Sequence, residues 1–154
     1  MTRVSHSTHI AVTAGELFDF HLDAANLARI SPPLPPVTVE GAPAPTRAGD
    51  EQVIHLSLGL TRIRWVVTIR HVRPPAAESP GFLEDVQSQG PFRHWRHQHQ
   101  VFPTPDGATL KDIIEFSFFP SPAGGFLDRL LVAPGIKMML AWRHRRTRDL
   151  LAGA

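Results

Sequence analysis

The sequence predicts an α+β domain: a first strand, two short helices between strands 1 and 2, a run of antiparallel strands and a long C-terminal helix. Three observations carry this. Side chains alternate in kind at period two over most of the chain from Val37 to Phe119. A capping-box sequence, Thr13-Ala14-Gly15-Glu16, opens a helical stretch directly after a first alternating segment. From Phe126 onward the apolar residues change to helical spacing. The 154 residues fit a single domain spanning 1–154, a size that buries roughly 68–70% of the unfolded surface and folds without staples.

Taken in order, Val4, His6, Thr8, Ile10 and Val12 alternate with Ser5, Ser7, His9 and Ala11 and predict strand 1. The helix opened by Thr13 runs to about His21, with Leu17, Phe18 and Phe20 available for burial. Asp23 caps a second helix carrying Leu27 and Ile30, which the proline run Ser31-Pro32-Pro33-Leu34-Pro35-Pro36 must end, because proline has no amide and disfavours helix in the residue before it. Hairpins follow. Ile54, Leu56 and Leu58 share one strand face, as do Ile63, Trp65, Val67 and Ile69; Leu83, Asp85 and Gln87 lead into Gly90-Pro91; Leu110, Asp112, Ile114, Phe116 and Phe118 follow Pro105-Asp106-Gly107. The Pro-, Gly- and Ala-rich stretches around 41–49 and 73–81 read as turns within the sheet. Phe126, Leu127, Leu130 and Leu131, then Ile136, Met139, Leu140, Trp142 and Leu150, give the terminal helix, with a kink or break expected at Pro134-Gly135.

Composition excludes several classes. With no cysteine there is no disulfide, thiolate metal site or thiol nucleophile. The 16 Lys+Arg and 14 Asp+Glu nearly cancel to a net charge of +2, which argues against nucleic-acid binding. The polar segment Met1–His9 has no signal-peptide core and no run is apolar enough to span a membrane, so a soluble cytoplasmic protein without stable membrane insertion is expected. No Gly-x-Ser-x-Gly elbow or phosphate-binding glycine loop is present. The basic run Arg143-His144-Arg145-Arg146-Thr147-Arg148 reads as a solvated helix face, and the proline run as a rigid connection instead of an SH3-type ligand.

The most informative stretch is Gly90-Pro91-Phe92-Arg93-His94-Trp95-Arg96-His97-Gln98-His99. Trp95, His97, His99 and Val101 fall on one strand face, and His94, Arg96, Gln98 and Gln100 on the other. Imidazoles set among inward aromatics point to a cavity. A tight turn at Pro105-Asp106-Gly107 places His99 opposite Asp112 and Trp95 opposite Phe116, while the Gly90-Pro91 turn brings Asp85 near Trp95 or His97. Such carboxylate–imidazole pairs serve as buried polar groups satisfying one another, as anchors for a ligand, or as acid/base machinery. His97-x-His99 with Asp112 also has the composition of an open metal site, but nine histidines make chance pairs common and no metal or other cofactor is expected.

These pieces resemble a bacterial branch of the START-like, or SRPBCC, superfamily, which includes polyketide cyclases/dehydrases and lipid-transfer domains. The resemblance rests on Asn26-Leu27, Ile30-Ser31-Pro32-Pro33, Asp85-x-Gln87-x-x-Gly90-Pro91-Phe92-x-x-Trp95-x-His97-x-His99, Thr109-x-x-Asp112 and Trp142 to Thr147, and covers nearly the whole chain. It implies a helix-grip fold, in which a curved antiparallel β-sheet wraps around the long C-terminal helix and leaves a cavity between them, and a function only as a class.

The expected function is binding of a hydrophobic or aromatic small molecule, lipid- or polyketide-like, in that cavity. Trp65, Trp95, Ile114 and Phe116, with Phe118 nearby, form the expected lining; Asp85, Gln87, His97, His99 and Asp112 are the polar anchors. The alternative is a polyketide cyclase/dehydratase-like enzyme using His97 or His99 as acid/base, with Asp112 as its partner. A regulatory module with a filled pocket is a third class, and a homodimer is left open.

Overall fold

The computed structural model describes residues 1–41 and 44–153, so Ala42 and Pro43, within the expected 41–49 turn region, and Ala154 lie outside the described residues. Seven strands form one antiparallel sheet: β1 (Thr2–Ile10), β2 (Val37–Glu40), β3 (Glu51–Leu58), β4 (Thr61–Arg73), β5 (Gly81–Gln89), β6 (His94–Thr104) and β7 (Gly107–Ser117). Their spatial order is β1-β7-β6-β5-β4-β3-β2, so consecutive hairpins run from β2 to β7 and β1 closes the β7 edge. Between β1 and β2 lie the short helices α1 (Ala14–Leu22) and α2 (Asn26–Ile30), and the chain ends with α3 (Gly124–Leu127), a π turn and α4 (Ala133–Ala152). The helix-grip arrangement is thus present.

Local chemistry sets the element ends. The Thr13 hydroxyl accepts from the Glu16 amide at 3.2 Å while the Glu16 carboxylate accepts from the Thr13 amide at 3.0 Å, the reciprocal pair of a capping box. Asp23 does not cap α2 as expected: it ends α1, its Oδ1 accepts from the Ala25 amide, and Ala25 stands at the start of α2 with no side-chain cap. In α2, Asn26 donates to the Phe20 carbonyl and ties the two helices together.

Pro134 does not break the terminal helix. It sits in the first turn of α4, where a missing amide is tolerated, and the irregularity lies just before it, in the π-helical turn Asp128–Val132. The Asp128 carboxylate, buried at the start of that turn, accepts from the Phe118 and Phe119 amides and pins the helix to the end of β7. Phe126, Leu130 and Leu131, though helically spaced, are exposed.

The core has two apolar clusters. One contains Val4, Trp65, Trp95, Ile114, Phe116, Ile136 and Leu140; the other contains Ile10, Leu17, Phe18, Leu83, Val101 and Leu110. Five elements contribute to both. On β1 the switch comes between Val4 and Ile10, on β4 between Val67 and Ile69, on β7 between Ile114 and Leu110, on β6 between Trp95 and Val101, and on the terminal helix after Leu140, where Leu151 packs on the second cluster. On β1, β6, β7 and the terminal helix, what lies at the switch is polar, and it is the site.

The Gly-Pro-Phe motif closes one end of the first cluster. Phe92 packs on Trp65 and Trp95 with ring centroids 5.4 and 4.8 Å away, and on Phe116 and Phe118 at 6.0 and 5.5 Å. Gln87 holds this turn by donating to the Phe92 carbonyl and accepting from its amide. A Cβ on Gly90 would stand 2.5 Å from the Trp65 ring and 2.6 Å from the Gln87 amide oxygen. Gly90→Ala is therefore expected to cost about 1–3 kcal/mol through overpacking, measured as a lowered urea midpoint with an unchanged m-value; an unchanged midpoint would show that the turn is looser than its geometry.

Candidate functional site

The predicted register is observed. His99 pairs with Asp112, Trp95 with Phe116, and Asp85 with His97, which resolves the sequence's choice between Trp95 and His97. Across the next strand His6 pairs with Asp112. One row therefore crosses β1, β7 and β6 with a carboxylate at its centre, and its side chains face the helix.

Asp112 is buried and surrounded by imidazoles. His99 Nδ1 donates to its Oδ1 at 2.8 Å, while His144 Nε2 and His97 Nε2 approach Oδ2 at 3.2 and 3.5 Å. Burial by itself would raise its pKa, but the His99 charge and hydrogen bond, with the ring nitrogens of His144 and His97 close by, outweigh it and hold the carboxyl well below its ordinary value. Asp85, with His97 Nδ1 at 3.6 Å, has no such ring of donors. Burial dominates there and pushes its carboxyl up to about 6, against the opposing pull of His99 and the Trp95 indole.

Helices supply the rest. His21 Nδ1 donates to the Leu17 carbonyl at 2.9 Å, which fixes the neutral tautomer with Nε2 unprotonated. Its ring lies 5.0 Å from that of His99. Burial first, then the neighbouring His99, lowers its pKa to about 4. On α4, His144 bonds the Thr8 hydroxyl through Nδ1 and meets His6 edge-on. Arg143 reaches Ser31 Oγ at 3.3 Å, and Ser31 in turn donates to the Leu27 carbonyl, so the Ile30-Ser31-Pro32-Pro33 motif seats an arginine from the opposite end of the chain. Burial lowers the Arg143 pKa to about 10, though it stays charged.

These groups border a cavity of about 90 Å³ between the sheet, the α1–α2 segment and α4. Its apolar side includes Leu27, Ile54, Leu56, Trp65, Val67 and Met139; its polar side includes His21, Asp85, His97, His99, Asp112 and Arg143. Of the residues expected at the site, Trp65, Trp95, Asp85, His97, His99 and Asp112 border this cavity. Gln87 is instead bonded to the Phe92 turn, Ile114 and Phe116 lie in the first apolar cluster, and Phe118 is partly exposed.

The basic C-terminal run requires correction. Arg145 is exposed and lies over the Trp142 ring, as a solvated face requires, but Arg143, His144 and Thr147 turn inward. The signal was positional. Ile136, Leu140, His144, Thr147 and Leu151 keep one i+3/i+4 stripe, and the polar members belong to the buried face whatever their charge. His21 was readable in the same way, one turn beyond the buried Leu17.

Among known families, the one described as polyketide cyclase / dehydrase and lipid transport matches residues 1–150. No curated protein matches. Similar solved structures include protein CV1439 from Chromobacterium violaceum (TM-score 0.71, 12% identity, 97% of this chain and 96% of that one). A START superfamily protein from Mycobacterium smegmatis has TM-score 0.69 at 12% identity, covering 98% and 97% of the two chains. Ara h 8.0201 has TM-score 0.69 at 12% identity, covering 99% of each. At such identities the likeness shows the fold.

His21 and Asp85 make opposite contributions to stability against pH. His21, lowered from 6.5 to about 4, leaves the unfolded chain binding more protons between those values, so its contribution is lost as pH falls. Asp85, raised from 3.8 to about 6, leaves the folded chain binding more, so its contribution is lost as pH rises through that range. Relative to the unaltered protein, Asp85→Asn should gain stability as pH rises from 4 to 6 and His21→Gln should lose it, each by up to ~1.4 kcal/mol per pH unit. Urea unfolding across this range checks the pair; difference profiles of the same sign would refute the assignment.

Proposed function

Because the chain belongs to the polyketide cyclase / dehydrase and lipid transport family, we propose that it binds a hydrophobic or aromatic small molecule carrying a polar edge in the cavity between sheet and terminal helix. One observation carries this: the residues bordering a single void divide into an apolar set, Ile54, Leu56, Trp65, Val67 and Met139, and a polar set, Asp85, His97, His99 and Arg143. A solid core has no use for this division, whereas ligand sites combine apolar walls with a few convergent polar groups. The volume of about 90 Å³ favours a compact ring over an extended acyl chain, which enters only if α2 or Met139 moves aside.

A second reading, a cyclase/dehydratase-like enzyme, is favoured by the free lone pair of His99. With Nδ1–H donated to Asp112, Nε2 is the basic nitrogen of the neutral ring. It would take a proton from carbon next to a ligand carbonyl, the C–H electron pair passing into the enolate, whose oxygen the Arg143 guanidinium would stabilise.

Native mass spectrometry of freshly purified protein tests for a retained molecule. Titration with a naphthol-type ring, followed by tryptophan fluorescence, should give saturable binding, and Met139→Trp should abolish it by filling the void while the protein stays folded. Equal binding by that variant would place the ligand elsewhere. For the enzymatic reading, a soluble 1,3-diketone should exchange its α-protons with deuterated solvent faster in the unaltered protein than in His99→Gln; equal rates would exclude the base.

A further inference from the structure

Three potential ligand atoms in the polar wall, one each from Asp85, His97 and His99, lie within 4.8 Å of one another. We propose that they form a binding site for a late first-row divalent metal such as zinc, with Asp112 as the carboxylate that orients both histidines. The inference stands whether or not the cavity holds an organic ligand.

The hydrogen-bonding pattern carries it. A ligating imidazole gives its other nitrogen to a carboxylate or carbonyl, which fixes the tautomer and turns the free lone pair to the metal. His99 does this, with Nδ1 bonded to Asp112 Oδ1 at 2.8 Å and Nε2 left over. His97 is placed the same way in mirror fashion: Nε2 lies 3.5 Å from Asp112 Oδ2 without a hydrogen-bond partner, and Nδ1 faces Asp85 Oδ2 at 3.6 Å. One buried carboxylate thus backs two neighbouring rings, whose centroids are 4.1 Å apart. The spacing of His97-x-His99 with Asp112 invites a different triad, but Asp112 has both oxygens engaged by histidines, whereas Asp85 has one histidine, His97, at 3.6 Å and the Trp95 indole beside it. Geometry therefore exchanges the third ligand and demotes Asp112 to orientation.

Two imidazoles and one carboxylate suit zinc, cobalt or ferrous iron and not calcium or magnesium, which prefer all-oxygen cages. Bonds of about 2.0–2.2 Å require the three atoms to close up by roughly 1 Å, and the adjoining cavity offers room for it. The ligands all lie on one wall, so the positions facing the void stay open to water or to a small molecule. Arg143 borders the same cavity and interacts electrostatically with Asp85 and Asp112. Its charge opposes the cation, which yields a readout that a merely structural role would not give.

The test is titration of tag-free, chelator-treated protein with Co²⁺ and with Zn²⁺ alone, read by visible absorption and calorimetry. One Co²⁺ per chain, with d–d bands displaced by Zn²⁺, is expected. Asp85→Asn and His99→Gln should weaken binding at least tenfold, Asp112→Asn by about 10–100-fold, and Arg143→Gln should tighten it several-fold. In the unaltered protein, Zn²⁺ should shift the imidazole nitrogen resonances of His97 and His99 before those of the exposed His9, which keeps the test decisive if a variant fails to fold. Absence of stoichiometric binding, or binding that persists in Asp85→Asn and His99→Gln with resonance shifts confined to surface histidines, would overturn the proposal.

Discussion

A carboxylate buried between the two halves of an apolar core is the constraint on which this structure turns. Asp112 stays ionised because His97, His99 and His144 approach it from two elements and His6 pairs beside it from a third. Removing one partner of a buried charge typically costs about 3–5 kcal/mol, so each element is held in place by the need to keep that charge company. The terminal helix is gripped on both sides of the carboxylate by apolar packing, through Ile136 and Leu140 on one side and Leu151 on the other. At the level of the carboxylate it is gripped by polarity.

The same layer explains why the polar switch points on β1, β6, β7 and α4 line up. A polar residue on one strand cannot be buried alone; its neighbours across the row must answer it. His6, Asp112 and His99 do so along the sheet, Asp85 and His97 one step away, and Arg143, His144 and Thr147 from the helix. The fold itself is shared with structures only 12% identical. The wrapping alone therefore does not specify the chemistry of the layer it encloses.

Much of this was legible from sequence because strand parity and turn position are local. Period-two alternation put Trp95, His97 and His99 on one face, and the turn at Gly107 then fixed their partners on β7. What escaped depended on reading charge as exposure. Arg143 and His144 sit in a run of basic residues, and only their continuation of the Ile136–Leu140 stripe shows that they turn inward. Ile114 and Phe116 were placed on the correct face, yet whether a residue lines a void or seals a core depends on what the helix lays over it, which no local pattern encodes. Gln87 was lost to its own turn, a competition between backbone and cavity settled by a neighbouring amide.

Glu84 and Asp85 are adjacent on β5 and point to opposite faces. Outside, Glu84 collects Arg96 at 2.8 Å, Gln98 at 2.7 Å and His71 at 3.2 Å; inside, Asp85 meets His97. Slipping this hairpin by a single residue would exchange the two acids, stranding Asp85 among solvent cations and driving Glu84 into the cavity. The surface lattice thus acts as a proofreader for the interior: the strand pair completes its outer bonds only in the alignment that also assembles the inner wall, and errors of pairing are penalised twice.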